Sequence, residues 1–209
     1  MTGPDQHRIG VLLSGRGSNL AALLAACRDG RVPSPIAMVV SNVPEAPGLD
    51  HARKAGVPFQ VVDHRQSSTR EEHDKKVAEV LEGAGITLIC LAGYMRLLSP
   101  WFVNRFPHRI LNIHPSLLPS FPGLHAQRQA LRHGVKITGC TVHLVDEHLD
   151  AGPIILQSAV PVQDHDDEET LSARILEQEH ILYPEALSLF CEGRIEVKNH
   201  KILQRTRPE

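Results

Sequence analysis

Short apolar runs separated by helix-forming stretches fill the first half of the chain, and this alternation restricts it to one kind of sheet. Residues 8–13, 36–40, 59–62, 87–92 and 109–113 read as strands, while 19–28, 48–55 and 69–81 carry helical patterns. Strands joined through helices run parallel and are covered by helices on both faces. The run at 87–92 is apolar almost throughout, which suits a central strand buried on both sides. Thr69, with Glu72 three residues on, has the pattern of a capping box. Gly56 is placed to close the helix before it.

The second half changes character. A helix is expected over 125–133, then two β-rich runs at 137–145 and 154–160. They lie close enough to run antiparallel at the sheet edge. A long helical pattern covers 168–190, with Pro184 expected to kink or reset it. Residues 195–203 suggest a short hairpin. The expected fold class is therefore α/β: a Rossmann-like, three-layer single domain over 1–209. Its central sheet is mostly parallel with antiparallel strands at the C-terminal edge, and 1–7 and 204–209 are expected to be flexible.

Composition excludes several partner classes. The chain has 22 Lys plus Arg against 24 Asp plus Glu, a formal charge of −2. That balance speaks against a nucleic-acid clamp or a membrane-surface protein. The amino terminus lacks a signal-peptide core, so a cytoplasmic protein is expected. Cys27, Cys90, Cys140 and Cys191 are scattered without a Cys-x-x-Cys pair, and the first three sit in apolar or small-residue surroundings that suit buried, reduced thiols. Thirteen histidines raise the question of a metal, but no helical ligand pair is present, and Asp146-Glu147-His148 is too contiguous to converge on one ion. No metal is expected, and most histidines read as surface residues.

In parallel sheets ligands sit beyond the carboxyl ends of the strands. That puts three segments on one rim: 14–19, 93–98 and 112–114. The first, Ser14-Gly15-Arg16-Gly17-Ser18-Asn19, is a glycine turn opening a helix, where exposed amides attract phosphate. A dinucleotide fingerprint needs glycine where Leu20 stands, and a nucleotide P-loop needs Gly-Lys-Ser/Thr where Gly17-Ser18-Asn19 stands. A single phosphate monoester suits so short a cradle; a tight turn with no ligand is an equal reading of these residues alone.

Asn112-Ile113-His114, read with Asp150, carries the reaction chemistry. An amide donates to a developing oxyanion, an imidazole donates as well and manages a proton, and a carboxylate favours the charged imidazole. Pro115 and Pro119 stiffen the segment after His114. Taken alone, such residues are more often turn formers and a satisfied histidine.

Longer motifs in order decide the matter. The chain resembles the phosphoribosylglycinamide formyltransferases, folate-dependent enzymes of purine synthesis, over nearly its whole length. The resemblance runs through the segments 11–20, 91–100, 112–119, 122–126, 150–157 and Gln178-Glu179-His180. It implies transfer of the formyl group of 10-formyltetrahydrofolate, as co-substrate and without metal, to the amine of phosphoribosylglycinamide. Asn112, His114 and Asp150 match the family's catalytic positions. Gly17, Ser18, Asn19 and Glu179 match positions that bind the ribonucleotide. Arg70, Met95, Arg96, Leu97 and Leu98 match folate-contacting positions, together with Asn112 and the pterin loop Asp146, Glu147, His148, Leu149 and Asp150. Arg16 occupies a variable place within the phosphate turn, where it would add charge, and His148 is unusual in the pterin loop. The implied partners are small molecules, with no nucleic acid or membrane, and the protein is expected as a monomer or weak homodimer.

Two other readings stay open. A 10-formyltetrahydrofolate hydrolase shares the Asn-x-His and Asp pattern, as does methionyl-tRNA formyltransferase. Their added amino-terminal regulatory domain and carboxy-terminal β-domain, respectively, are not expected here. A non-catalytic folate- or nucleotide-binding relative is the reading from a different class.

Overall fold

The computed structural model describes residues 7–205, so the expectation of flexible ends falls almost wholly outside the described residues. The strands are β1 Ile9–Leu13, β2 Ile36–Ser41, β3 Phe59–Val61, β4 Leu88–Leu91, β5 Ile110–His114, β6 Ile137–Leu144, β7 Ile154–Pro161, β8 Ile195–Lys198 and β9 Lys201–Gln204. The helices are α1 Ser18–Arg28, α2 Leu49–Lys54, α3 Arg70–Gly83, α4 Pro100–Arg105, α5 Ala126–His133 and α6 Glu168–Cys191. Seven strands form one sheet in the order β3-β2-β1-β4-β5-β6-β7, and β8 and β9 form a separate hairpin. The first five strands pair in parallel. The β5–β6 and β6–β7 pairs are antiparallel, as expected of the C-terminal edge.

Alternation along the strands feeds two cores. On one face Val11, Leu13, Cys90, Leu111, Ile113 and Val142 pack with Leu20 and Leu23 of α1 and with Ile175, Tyr183 and Leu187 of α6. On the other, Leu12, Val40, Ile89 and Ile110 pack with Val77 and Leu81 of α3 and Phe102 of α4. β1 is buried along its whole length because both faces are covered. The Tyr183 hydroxyl, fully buried, lies 3.1 and 3.0 Å from the carbonyl oxygens of Leu91 and Leu111. It pins α6 to the two central strands whose ends carry the rim.

Several expectations are corrected. Helix α6 runs unbroken through Pro184, which is buried inside it. Packing of this helix against β6, β7 and α1 outweighs the donor that Pro184 cannot supply to its own helix. Helix α4 was not expected, although Ser99 caps it by accepting the Phe102 N–H and Pro100 takes the first helical position. Thr69 does cap α3 by accepting the Glu72 N–H at 3.1 Å. The Glu72 carboxylate, however, turns one residue further back, to the Ser68 N–H and hydroxyl, so the reciprocal half of the box is displaced. Cys90 and Cys140 are buried, whereas Cys27 is only half-buried, at the end of α1. His73, His114 and His143 are buried, while the other ten histidines are half-buried or exposed, in keeping with the expectation that most lie at the surface.

Candidate active site

The order β2-β1-β4-β5 brings the carboxyl ends of β1, β4 and β5 side by side. Two of the three rim segments, 14–19 and 93–98, are joined there by hydrogen bonds: the Ser14 N–H donates to the Gly93 carbonyl at 3.1 Å, and the Met95 N–H donates to Ser14 Oγ at 2.8 Å.

The glycine turn is shaped by backbone contact as much as by ligand chemistry. Gly17, the N-cap of α1, has φ 74°. A Cβ there would stand 2.6 Å from Gly48 Cα, and the Gly48 N–H donates to the Gly15 carbonyl at 2.9 Å. Both the left-handed φ and the close approach require glycine. α1 opens directly after this turn with Ser18 and Asn19, leaving free amides at a helix start. Arg16 is exposed beside them. The Asn19 amide donates to Glu179 Oε2 at 2.7 Å, 160 residues away in sequence and buried. Burial pushes the Glu179 carboxyl up, and the Asn19 hydrogen bond works against that. Asn19 Oδ1 is buried with no partner among the described residues. Two residues matched to ribonucleotide binding are thus in direct contact.

Asn112 and His114 are two apart on β5 and project to the same face, opposite Leu111 and Ile113. The antiparallel register sets Asn112 across from His143 and His114 across from Thr141. His143 Nδ1 lies 2.9 Å from the Leu144 carbonyl, so this nitrogen carries the hydrogen. Nε2 is then the acceptor for Asn112 Nδ2, at 3.2 Å. Burial pushes the His143 imidazole below its ordinary value, which keeps that neutral arrangement. Sequence reasoning missed His143. It sits inside an apolar strand run, and only the register reveals its partner.

Asp150 closes the group. Its Oδ2 is 3.4 Å from His114 Nδ1 and its Oδ1 is 3.8 Å from His143 Nε2. The same Oδ2 accepts the Gly123 N–H at 2.8 Å. Asp150 holds φ 50°, an unusual state for a residue with a side chain, and this conformation is part of how the carboxylate reaches both rings. His114 Nε2 lies 2.9 Å from the Phe121 carbonyl. The carbonyl can only accept, so Nε2 carries a hydrogen, and Nδ1 faces the Asp150 carboxylate. The Thr141 hydroxyl donates to the Ser116 carbonyl and accepts the Leu118 N–H, which fixes the turn beyond His114. The trio Asn112, His114 and Asp150 therefore comes together from one strand and a loop.

The remaining folate-matched residues lie on the segment after β4, at the start of α3 and in the loop before Asp150. Met95 and Leu97 are exposed at the end of β4, with Arg96 and Leu98 half-buried between and after them. Arg70 opens α3 and is exposed. The loop Asp146, Glu147, His148 and Leu149 leads into Asp150. Asp146 Oδ1 accepts the His148 N–H at 2.9 Å, and Glu147 accepts from Asn104 Nδ2 at 2.7 Å. His148 itself points out to solvent. No hydrogen bond or ion pair joins Arg70 to this loop among the described residues. Nor does any group of three or more His, Cys, Asp and Glu among them converge as a metal site.

Comparison with known proteins adds an independent line. Residues 7–187 match the family described as formyl transferase. The chain is 43% identical over 187 residues to the phosphoribosylglycinamide formyltransferase of Escherichia coli K12, covering 90% of this chain and 88% of that protein. It is 47% identical over 195 residues to the trifunctional purine biosynthetic protein adenosine-3 of Drosophila melanogaster, covering 92% of this chain but only 14% of that far longer protein. A crystal structure of glycinamide ribonucleotide transformylase 1 from Symbiobacterium toebii superposes with TM-score 0.95 at 52% identity, covering 96% of this chain and 95% of that one. The chain belongs to the formyl transferase family.

Proposed function

We propose that this chain transfers the formyl group of 10-formyltetrahydrofolate to the primary amine of phosphoribosylglycinamide, yielding the formylated ribonucleotide and tetrahydrofolate in purine synthesis. The observation that carries the reading is the convergence of Asn112, His114 and Asp150 within one rim that also holds the glycine turn and the Asn19–Glu179 pair. Full-length likeness to phosphoribosylglycinamide formyltransferases supports the same reading.

The residues fit both substrates. The amides that open α1 suit a phosphate monoester, and the unpartnered Asn19 Oδ1 offers an acceptor to the ribonucleotide. Exposed Met95 and Leu97 offer apolar walls to a flat heterocycle, beside irregular backbone able to read its polar edge. The co-substrate supplies an activated formyl carbon. The Asn112 amide, oriented by His143, donates to the formyl oxygen as negative charge develops on it. His114 adds a second donor and passes a proton, while Asp150 stabilises the positive imidazole that does so. The attacking amine loses one proton, and the departing folate nitrogen gains one.

We assign the protein to the cytoplasm as a monomer or weak homodimer acting on small molecules. The near-neutral charge supports partners of that kind. The test is a spectrophotometric assay with 10-formyl folate in the presence and absence of phosphoribosylglycinamide. Deformylation that requires the ribonucleotide is expected. Formate release without it would replace this reading with a hydrolase, and no reaction in either case would leave a binding protein.

A further inference from the structure

From 93 to 99 the chain is neither strand nor helix, so no ladder holds its backbone polar groups. This is the segment that carries Met95, Arg96, Leu97 and Leu98. Apart from the Gly93 carbonyl, which accepts the Ser14 N–H, side chains from other elements hold it instead. The Met95 N–H donates to Ser14 Oγ, and the Ser99 N–H donates to Asp74 Oδ2 at 2.6 Å. The Tyr94 hydroxyl lies 2.8 Å from His73 Nε2. His73 and Asp74 are consecutive residues of α3, both fully buried, and Arg70 lies one helical turn before Asp74 on the same face.

Asp74 is the costly member of this set. A buried carboxylate needs donors or positive charge around it. Its Oδ2 has the Ser99 N–H, but its Oδ1 is buried with no partner among the described residues. On the segment itself, Arg96 Nε is likewise buried without a partner. Burial pushes the Asp74 carboxyl up, and the Ser99 hydrogen bonds and the charges of Arg96 and Arg70 oppose that without cancelling it. The charge of half-buried Arg96 thus favours the buried Asp74 carboxylate across the α3–segment contact, without a close ion pair between them among the described residues.

We propose that Asp74 is a positioning residue for the folate side of the site: it anchors the backbone of 95–99 through Ser99 and holds the Arg96 guanidinium inward by its charge. The inference rests on the folate reading given above. Without the carboxylate charge, a half-buried guanidinium lacking a partner at Nε gains by turning to solvent, and the irregular backbone that carries it follows. Asp74 reaches no reacting atom, so its effect falls on folate affinity rather than on the chemical step.

Asp74→Asn keeps an oxygen for the Ser99 N–H and removes only the charge. Calorimetric titration with tetrahydrofolate reads affinity without turnover. The expected result is roughly tenfold weaker tetrahydrofolate binding, with KM for phosphoribosylglycinamide unchanged. Arg96→Gln should weaken folate binding similarly, and the double variant should bind no worse than Arg96→Gln alone, because the two act as one unit. Wild-type affinity in Asp74→Asn would overturn the role of Asp74 and leave the folate reading standing. Equal losses at both substrates would overturn it too, as the mark of a general structural role. Failure of the wild-type protein to bind tetrahydrofolate would remove both.

Discussion

Asn112 and His143 face one another across the β5–β6 ladder, with Asn112 Nδ2 3.2 Å from His143 Nε2. The contact fixes which way the amide points, because a neutral imidazole with its hydrogen on Nδ1 presents only a lone pair at Nε2. One amide hydrogen is spent on the ring, and the other is left to meet a substrate oxygen. A buried histidine therefore orients the proposed oxyanion donor.

Replacing His143 by Ala should free the Asn112 amide to rotate and lower kcat by roughly tenfold, with KM for the ribonucleotide little changed. Steady-state kinetics on both substrates would check it. Unchanged kcat would show that the strand alone orients Asn112.

Asp150→Asn keeps an acceptor for the Gly123 N–H but removes the charge between the two imidazoles. A loss of about 100-fold in kcat is expected, with the unfolding midpoint near that of the wild type, because what is lost is a charge acting in the transition state rather than a packing contact. Single-turnover measurement would separate this from slow product release.

At Gly17, alanine meets two obstacles: a φ of 74° and a Cβ 2.6 Å from the backbone of Gly48. Neither backbone can yield without distorting the turn. Gly17→Ala should cost about 2 kcal/mol or more in stability and raise KM for phosphoribosylglycinamide while sparing tetrahydrofolate binding. Thermal denaturation and the two affinities would test both halves.

His73 supplies a pH signature. Burial first, then the positive charge of Arg96, pushes its imidazole down from 6.5 to about 4. Between those values the unfolded chain takes up a proton that the folded chain refuses. Stability is therefore lost as pH falls through this window, by at most about 1.4 kcal/mol per pH unit from this group. Histidine titration by NMR should find His73 neutral at pH 5. His73→Gln should flatten the stability slope between pH 6.5 and 4.

Much of this molecule was legible because local patterns and the global fold agree. The apolar runs at 8–13, 36–40 and 87–92 became strands near those limits, since a strand covered on both faces has to be apolar throughout. The antiparallel edge followed from two β-rich runs too close together for a crossover. Helix α4 escaped notice despite its Ser-Pro start, because six residues offer too little periodicity to register. Pro184 misled for the opposite reason: a local rule about helix interiors was overridden by the packing of a long, buried helix.

What the sequence determined by itself was the parallel α/β layering and the glycine turn, since periodicity and turn chemistry are written along the chain; Asn112, His114 and Asp150 stood out as a group only through the resemblance carried by the longer motifs. Only the tertiary structure decided that His143 orients Asn112, that Asn19 meets Glu179 and that Asp74 underlies the segment of Arg96. Those contacts, the last made through Ser99, join residues 31, 160 and 25 positions apart. Strand register and helix packing set such distances, and no local pattern encodes them.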